Sequence, residues 1–69
     1  MDHATTRATI IPEIVRLISE EYNISEKEAL DNFYSSATGA SYADDNTGLY
    51  GQSALYVFGL FREEYEHQN

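Results

Sequence analysis

The chain has 69 residues, which is the length of one small domain, and such a domain buries only about 60% of the surface that its unfolded chain exposes. It has no cysteine, and both histidines, His3 and His67, lie near its ends, which excludes disulfide bonds and disfavours a histidine-based metal centre. Twelve acidic residues against four basic ones give a formal net charge of −8, which disfavours binding to nucleic-acid phosphates and to anionic lipid.

The first predicted element is an amphipathic helix over residues 10–22. It follows a flexible tail over residues 1–9, which carries no periodic apolar signal. Pro12 suits the first turn of a helix, where its missing N–H group is not needed. The apolar face repeats at helical spacing and comprises Ile11, Ile14, Val15, Ile18 and Tyr22.

A second helix is predicted over residues 26–36 and has the most specific start signal in the chain. Asn23 suits the left-handed conformation that ends a helix, and Ser25 followed by Glu28 forms a capping box for the next one. One side of this helix is apolar and comprises Ala29, Leu30, Phe33, Tyr34 and Ala37. The opposite side is mostly acidic and comprises Glu26, Lys27, Glu28, Asp31 and Asn32.

Residues 38–52 lose the helical period and are predicted to form a long loop that packs against the core. Glycines and polar residues punctuate the segment, and a short irregular hairpin is expected around residues 45–48. Tyr42, Leu49 and Tyr50 are unusual in a mobile linker, so we expect them to anchor the loop. A loop of this length in a small domain is often functional.

The last predicted helix covers residues 53–66 and is capped by Ser53, with residues 67–69 as a short tail. Its core face comprises Ala54, Val57, Phe58, Phe61 and Tyr65. A second apolar side on its first two turns comprises Leu55, Tyr56, Gly59 and Leu60. Because exposed apolar patches commonly mark interfaces, we expect a homodimer contact on this second side. The predicted fold is all-α, a small three-helix domain over residues 10–66 with a long packed loop between helices 2 and 3.

The polar residues form no arrangement that favours catalysis or metal binding. If Gly48 took the sixth position of a calcium-binding loop, Ala43 and Ala54 would fall where oxygen ligands are needed. The serines and threonines have no internal histidine to act as a base, and Lys27 is expected to be exposed. Neighbouring carboxylate pairs are expected to be solvated. We therefore expect no enzyme activity, no cofactor and no metal.

The order of helix 1, a tight turn and helix 2 matches that of a helix-turn-helix DNA-binding motif. Lys27 is the only cation on the exposed side of helix 2, whereas contacts to bases and phosphates require Arg, Lys, Asn or Gln. A small helix-turn-helix regulator is therefore an alternative that the charge disfavours. A second alternative is an acidic antitoxin or nucleic-acid mimic that uses the helix 2 face to bind a basic partner.

No segment of the sequence predicts association with a membrane. Residues 1–7 are polar and lack the apolar stretch of a signal peptide. The longest apolar-rich run, residues 54–61, is shorter than the roughly 20 residues that a membrane-spanning helix needs. A cytoplasmic location is expected.

Residues 24–64 resemble a group of short bacterial proteins of unknown function. The shared pattern has an Ile-Ser-x-x-Glu-Ala-Leu opening, a Phe-Tyr-x-Ser-x-Thr step, a Thr-Gly-Leu-aromatic turn and a Ser-x-x-Tyr helix start. In this chain the four parts are Ile24, Ser25, Glu28, Ala29 and Leu30; Phe33, Tyr34, Ser36 and Thr38; Thr47, Gly48, Leu49 and Tyr50; and Ser53 with Tyr56. The similar proteins are encoded among other small proteins, including suspected toxin–antitoxin and mobile-element modules, so the resemblance implies a protein-binding role. The chain departs from the pattern at residues 39–43, where the similar proteins are more apolar, so the first half of the loop is expected to pack less tightly.

The leading functional prediction is a non-enzymatic interaction module that binds a protein partner or a second copy of itself. The predicted contact surface combines the last helix with the tyrosine-containing loop and comprises Tyr42, Leu49, Tyr50, Leu55, Tyr56, Gly59 and Leu60. A site lined by the loop tyrosines that takes a small molecule or a peptide is a further alternative. Membrane, metal and nucleic acid are not expected partners.

Overall fold

The computed structural model describes residues 4–67, with side chains from residue 8 onwards, and all regular structure in this part of the chain is helical. The four α-helices are α1 at Ala4–Tyr22, α2 at Glu26–Ser35, α3 at Ala37–Ala43 and α4 at Ala54–His67. Two 3₁₀ turns, Asp45–Thr47 and Leu49–Gly51, connect α3 to α4. The all-α prediction is confirmed, whereas the three-helix description needs correction because the first part of the expected loop is α3.

Helix α1 starts earlier than its apolar pattern predicts. The backbone is helical from Ala4, six residues before the predicted start of the helix, and the flexibility expected for residues 1–9 stays a prediction. Residues 1–3 lie outside the described part of the chain. Pro12 lies inside the helix rather than in its first turn. Proline in a helix interior removes one backbone hydrogen bond and crowds the carbonyl four residues earlier, so the helix continues across it only when packing offsets this cost. Ile14 and Ile18, two and six residues further on, are fully buried and provide that packing.

The junction between α1 and α2 has the predicted conformation. Asn23 adopts a left-handed conformation with a φ of 55°, and the Ile24 N–H group donates to the Ser19 carbonyl at 3.1 Å. The Oγ atom of Ser25 accepts a hydrogen bond from the Glu28 N–H group at 3.1 Å, and its hydroxyl donates to the Glu28 carboxylate at 3.4 Å. The predicted cap of the second helix is therefore confirmed.

Helix α4 begins where the sequence predicts. Ser53 precedes its first turn, and the Ser53 Oγ atom accepts a hydrogen bond from the Tyr56 N–H group at 3.1 Å. The helix ends at His67, one residue beyond the predicted end at residue 66. Residues 68–69 lie outside the described part of the chain.

The core is formed by α1, α2 and α4, with α3 packed against α2 and α4. Its largest fully buried side chains are Ile14, Ile18, Phe33, Tyr42, Val57 and Phe61. The ring centroid of Phe33 lies 6.1 Å from that of Phe61 and 5.8 Å from that of Tyr42, so one aromatic cluster links α2, α3 and α4. Two residues assigned to the apolar side of helix 2, Tyr34 and Ala37, are instead exposed.

Helix α3 follows α2 directly, and Ser36 takes part in the ends of both helices. Its N–H group and its hydroxyl both donate to the Phe33 carbonyl, at 3.1 and 2.6 Å. Its Oγ atom also accepts a hydrogen bond from the Gly39 N–H group at 2.9 Å, which caps α3. Gly39 and Tyr42 are buried, whereas Ala40 and Ala43 are exposed, and looser packing of residues 39–43 than in the similar proteins stays a prediction.

The contact between α2 and α3 requires a glycine at position 39. A Cβ atom there would lie 1.8 Å from the carbonyl oxygen of Phe33 and 2.8 Å from its carbonyl carbon. Both are backbone atoms, so they could not move away without a shift of the end of α2. Gly59 on α4 is the opposite case, because a Cβ atom there would meet no neighbour within 4 Å.

Two 3₁₀ turns take the place of the hairpin expected around residues 45–48. The Asp44 Oδ1 atom accepts a hydrogen bond from the Asn46 N–H group at 2.9 Å, and the Thr47 hydroxyl donates to a backbone carbonyl of α3 at 2.6 Å. Gly48 joins the two turns in a left-handed conformation with a φ of 72°. The polar side chains of this segment therefore bond to nearby backbone, as turn residues commonly do.

Substitution of the two glycines tests the packing of α3. We expect Gly39→Ala to lower the free energy of unfolding by about 2 kcal/mol or more, because overpacking against fixed atoms costs about 1–3 kcal/mol. Gly59→Ala is the matched control and should raise it by about 1 kcal/mol, since alanine favours an exposed helix interior. Urea unfolding followed by circular dichroism measures both. Equal effects of the two variants would contradict the assigned packing of α3.

Candidate functional site

The structure separates the seven residues of the predicted contact surface into three groups. Tyr42 is 0% exposed and belongs to the core, so its assignment to a partner-binding surface is wrong. Leu49 and Tyr50 are half-buried and pack against the core from the second 3₁₀ turn. The remaining four residues lie on the exposed side of α4 and comprise Leu55, Tyr56, Gly59 and Leu60. We call these four residues the outer face of α4.

The outer face of α4 is apolar and open. Leu55 is 68% exposed, Tyr56 53% and Leu60 38%, and these are large side chains that water solvates poorly. Gly59 lies between them in sequence, one turn after Leu55, with open space where a side chain would project. The opposite side of the same helix is buried and comprises Ala54, Val57, Phe58 and Phe61. Helix α4 is therefore apolar on two sides over its first two turns, as the sequence predicts.

A shallow cleft between α3 and α4 extends the outer face beyond α4. Leu60 lines this cleft together with Ala37 and Ser41 of α3, and Leu49 of the second 3₁₀ turn contributes a further apolar side chain. Its volume is about 360 Å³, and Glu63 forms part of its rim. We call it the α3–α4 cleft. Of the two half-buried loop residues, Leu49 lines this cleft and therefore remains part of the candidate surface.

The Glu64 carboxylate fixes α3 against α4 beside this cleft. It accepts hydrogen bonds from the backbone N–H groups of Ala37 at 2.8 Å and Thr38 at 2.9 Å, and from the Thr38 hydroxyl at 2.8 Å. Burial raises the pKa of Glu64, but the backbone hydrogen bonds and the hydroxyl hydrogen bond outweigh burial and hold the pKa below its ordinary value. The sequence prediction that carboxylate pairs are only solvated missed this residue, because its partners lie far away in the sequence.

The second half of α4 is charged rather than apolar. Arg62 Nε lies 3.1 Å from Glu66 Oε2 and 3.7 Å from Glu21 Oε2 of α1. The Tyr22 hydroxyl lies 3.5 Å from Glu66 Oε2, so the end of α1 runs beside this half of α4. Glu63, one turn after Gly59, is exposed. The outer face of α4 therefore passes directly into a surface that is rich in carboxylates.

The face of α2 named in the alternative predictions is exposed and acidic. Glu26, Glu28 and Asp31 are exposed there, and Lys27 is the accompanying cation. Arg16 of α1 is bound to Glu13 and, at 3.1 Å, to Glu20, so its charge is already neutralised by carboxylates. These are the features of a solvated helix surface, and an Arg or Lys cluster of the kind that binds phosphates is absent from residues 8–67.

An apolar groove between α1 and α2 was missed by the sequence analysis. It measures about 630 Å³, and its apolar lining comprises Ile11, Pro12, Val15 and Leu30. Thr9 and four charged residues complete its lining, and the charged residues are Glu13, Arg16, Glu26 and Lys27. Ile11 and Leu30 are only half-buried and were assigned to core faces, so their residual exposure gave no signal in the sequence.

The described residues offer no sign of a metal centre or of a membrane span. From residue 4 to residue 67, no group of three or more His, Cys, Asp or Glu side chains is placed to hold a metal ion. Within the same residues, no helix combines the length and the apolar character needed to cross a bilayer. The candidate site is therefore described by shape, apolar surface and charge alone.

Comparisons of the chain with protein-family models, with curated proteins and with solved structures found no match. The resemblance to short bacterial proteins of unknown function therefore stays a prediction from the motif residues. Many of those motif residues have structural roles: Ser25 caps α2, Ser36 caps α3 and Phe33 lies in the core.

Removal of the Glu64 charge should make stability less dependent on pH. The pKa of Glu64 is lowered from its ordinary value of 4.5 on folding, so its contribution is complete above pH 4.5 and is lost as the pH falls through the folded-state pKa. We expect Glu64→Gln to lower the free energy of unfolding near neutral pH by about 1 kcal/mol, the usual value of a helix cap. The deficit relative to wild type should shrink as the solution is acidified.

Glu63→Gln is the charge-matched control for this experiment. Glu63 is an exposed neighbour and receives none of the three hydrogen bonds that Glu64 accepts. It should retain wild-type stability near neutral pH within about 0.5 kcal/mol, as surface substitutions usually do. Urea unfolding at a series of pH values measures both variants, and a Glu64→Gln deficit that is constant with pH would contradict the assigned role of the carboxylate.

Proposed function

We propose that this protein is a non-enzymatic interaction module that binds a protein partner through the outer face of α4 and the α3–α4 cleft. One observation carries the proposal: Leu55, Tyr56 and Leu60 are exposed together on one helix, around a glycine. Contiguous exposed apolar side chains on a small domain commonly mark an interaction surface. Tyrosine is among the residues that contribute most to binding energy at interfaces.

The rigidity of α4 supports the same proposal. Val57 and Phe61, on the other side of the helix, are buried in the core and hold it in place. A surface that is already ordered loses little conformational entropy when a partner binds, so more of its apolar burial is available as affinity. The outer face is therefore better suited to binding than an equally apolar but mobile loop.

Two of the alternatives from the sequence, the acidic antitoxin or nucleic-acid mimic and the helix-turn-helix regulator, have less support. An acidic antitoxin or nucleic-acid mimic would bind through Glu26, Glu28 and Asp31 of α2, but charge runs on a small helical domain usually form a solvated face. A helix-turn-helix regulator needs cations on the recognition helix, and α2 carries only Lys27. Neither alternative accounts for the apolar outer face of α4.

A pair of matched tyrosine variants tests the proposal. Tyr56 on the outer face is 53% exposed and Tyr34 on α2 is 51% exposed, so Tyr56→Ala and Tyr34→Ala remove the same side chain from similarly exposed positions. We expect Tyr56→Ala to weaken capture of the protein's partner from a native cell lysate by about tenfold or more, as the loss of a binding hot spot does. Tyr34→Ala should capture it as wild type does.

The experiment measures the amount of partner that each tagged variant captures. Circular dichroism establishes that both tyrosine variants keep their helix content. Leu60→Asp, which places a charge in the same face, should abolish capture. Capture that is equally strong for Tyr56→Ala, Leu60→Asp and wild type would contradict the proposal. Sedimentation of the purified protein identifies a second copy as the partner if wild type dimerises and Leu60→Asp does not.

A further inference from the structure

The outer face of α4 ends in a group of carboxylates that belong to two helices. Glu63 and Glu66 lie on the second half of α4, and Glu21 lies at the end of α1. The contact of Arg62 with Glu21 at 3.7 Å brings the end of α1 beside this half of α4. We call these three carboxylates the acidic border of the outer face.

The acidic border keeps a negative charge despite its ion pairs. Arg62 is shared between Glu21 and Glu66, so one cation contacts two of the three carboxylates. The C-terminal ends of α1 and α4 add partial negative charge from their helix dipoles. A partner that covers the outer face of α4 therefore meets negative charge along one edge.

This charge disfavours a second copy as the occupant of the outer face. Each copy carries a formal net charge of −8, and association would bring like charges together. A partner with basic residues gains attraction at the same edge, and such complementarity increases both the rate of association and the specificity of binding. The homodimer expected from the sequence is therefore less compatible with the surface than a basic partner is.

The shape of the outer face favours a helix over an extended peptide. An extended peptide commonly binds by adding a strand to the edge of a sheet, and residues 4–67 contain no strand. A helix packs on another helix at about 8–10 Å between axes and inserts its side chains between those of the first. The gap at Gly59, flanked by Tyr56 and Leu60, can receive such a side chain.

We propose that the outer face of α4 binds an amphipathic helix of a partner protein, with an apolar row against Leu55, Tyr56 and Leu60 and with Lys or Arg residues against the acidic border. This proposal rests on the proposed function and specifies its partner class. Three matched helical peptides can serve as probes. All three have the same leucine row, and the positions outside this row are Lys in one peptide, Gln in the second and Glu in the third. Fluorescence anisotropy measures the binding of each peptide to the full chain.

The lysine peptide should bind about tenfold or more tightly than the glutamine peptide, and the glutamate peptide should bind most weakly. Added salt should weaken the binding of the lysine peptide most, since salt screens the attraction between exposed charges. Equal affinity of the lysine and glutamine peptides would overturn the assignment of a basic partner.

Two variants with the same change in net charge separate local from general attraction. Glu63→Lys changes the acidic border, whereas Asp31→Lys changes the exposed face of α2. We expect Glu63→Lys to lower the affinity for the lysine peptide about tenfold and Asp31→Lys to lower it less than about twofold. The reason is that screening confines the effect of an exposed charge to its neighbourhood. Equal effects, or a larger effect of Asp31→Lys, would overturn the proposal.

The tyrosine variants distinguish failure of this inference from failure of the proposed function. If Tyr56→Ala reduces capture of the native partner but the lysine peptide has no advantage, the binding surface stands and its occupant is not a basic helix. If neither peptide binding nor native capture depends on Tyr56, the proposed function fails as well. A lysine peptide that loses affinity with both Tyr56→Ala and Glu63→Lys is the result that supports the inference.

Discussion

The Glu64 carboxylate joins α4 to the first turn of α3, and much of the exposed surface follows from this contact. It accepts hydrogen bonds from the N–H groups of Ala37 and Thr38. These N–H groups lie in the first turn of α3, where backbone N–H groups have no carbonyl partner within the helix. With α3 held in this position, Tyr42 lies in the core and the cleft beside Leu60 has its second wall. The side of α4 that faces away from the core is left uncovered.

The small size of the domain explains why one helix has two roles. Helices α1 and α3 pack against α4, and Phe61 contributes its ring to the aromatic cluster of the core. Within residues 4–67, no remaining element covers Leu55 or Tyr56 on the other side. The first half of α4 therefore supplies stability on one side and an apolar surface on the other. The carboxylates of its second half then determine which partners the surface attracts.

Local signals in the sequence were sufficient to predict the helix ends and apolar faces that depend on nearby residues. The cap at Ser25 and the two sides of α4 are examples. Helix α3 could not be predicted in the same way, because its small and polar residues show no apolar period and its stabilising carboxylate, Glu64, lies 26 and 27 residues away. Gly39 indicated a loop, but the folded chain uses it for close contact with the Phe33 carbonyl. The same dependence on tertiary contacts placed Tyr42 in the core instead of on the predicted binding surface.

The most direct test of the account is to map the bound surface residue by residue. Nuclear magnetic resonance of isotope-labelled protein, titrated with the leucine–lysine peptide, reports which backbone amides change their environment. The account predicts the largest chemical-shift changes on the outer face of α4, around Leu55 to Glu63, with smaller changes at Ser41 and Leu49 beside the cleft. Changes centred on Glu26, Glu28 and Asp31 of α2 would contradict it and would place binding on the acidic face of that helix.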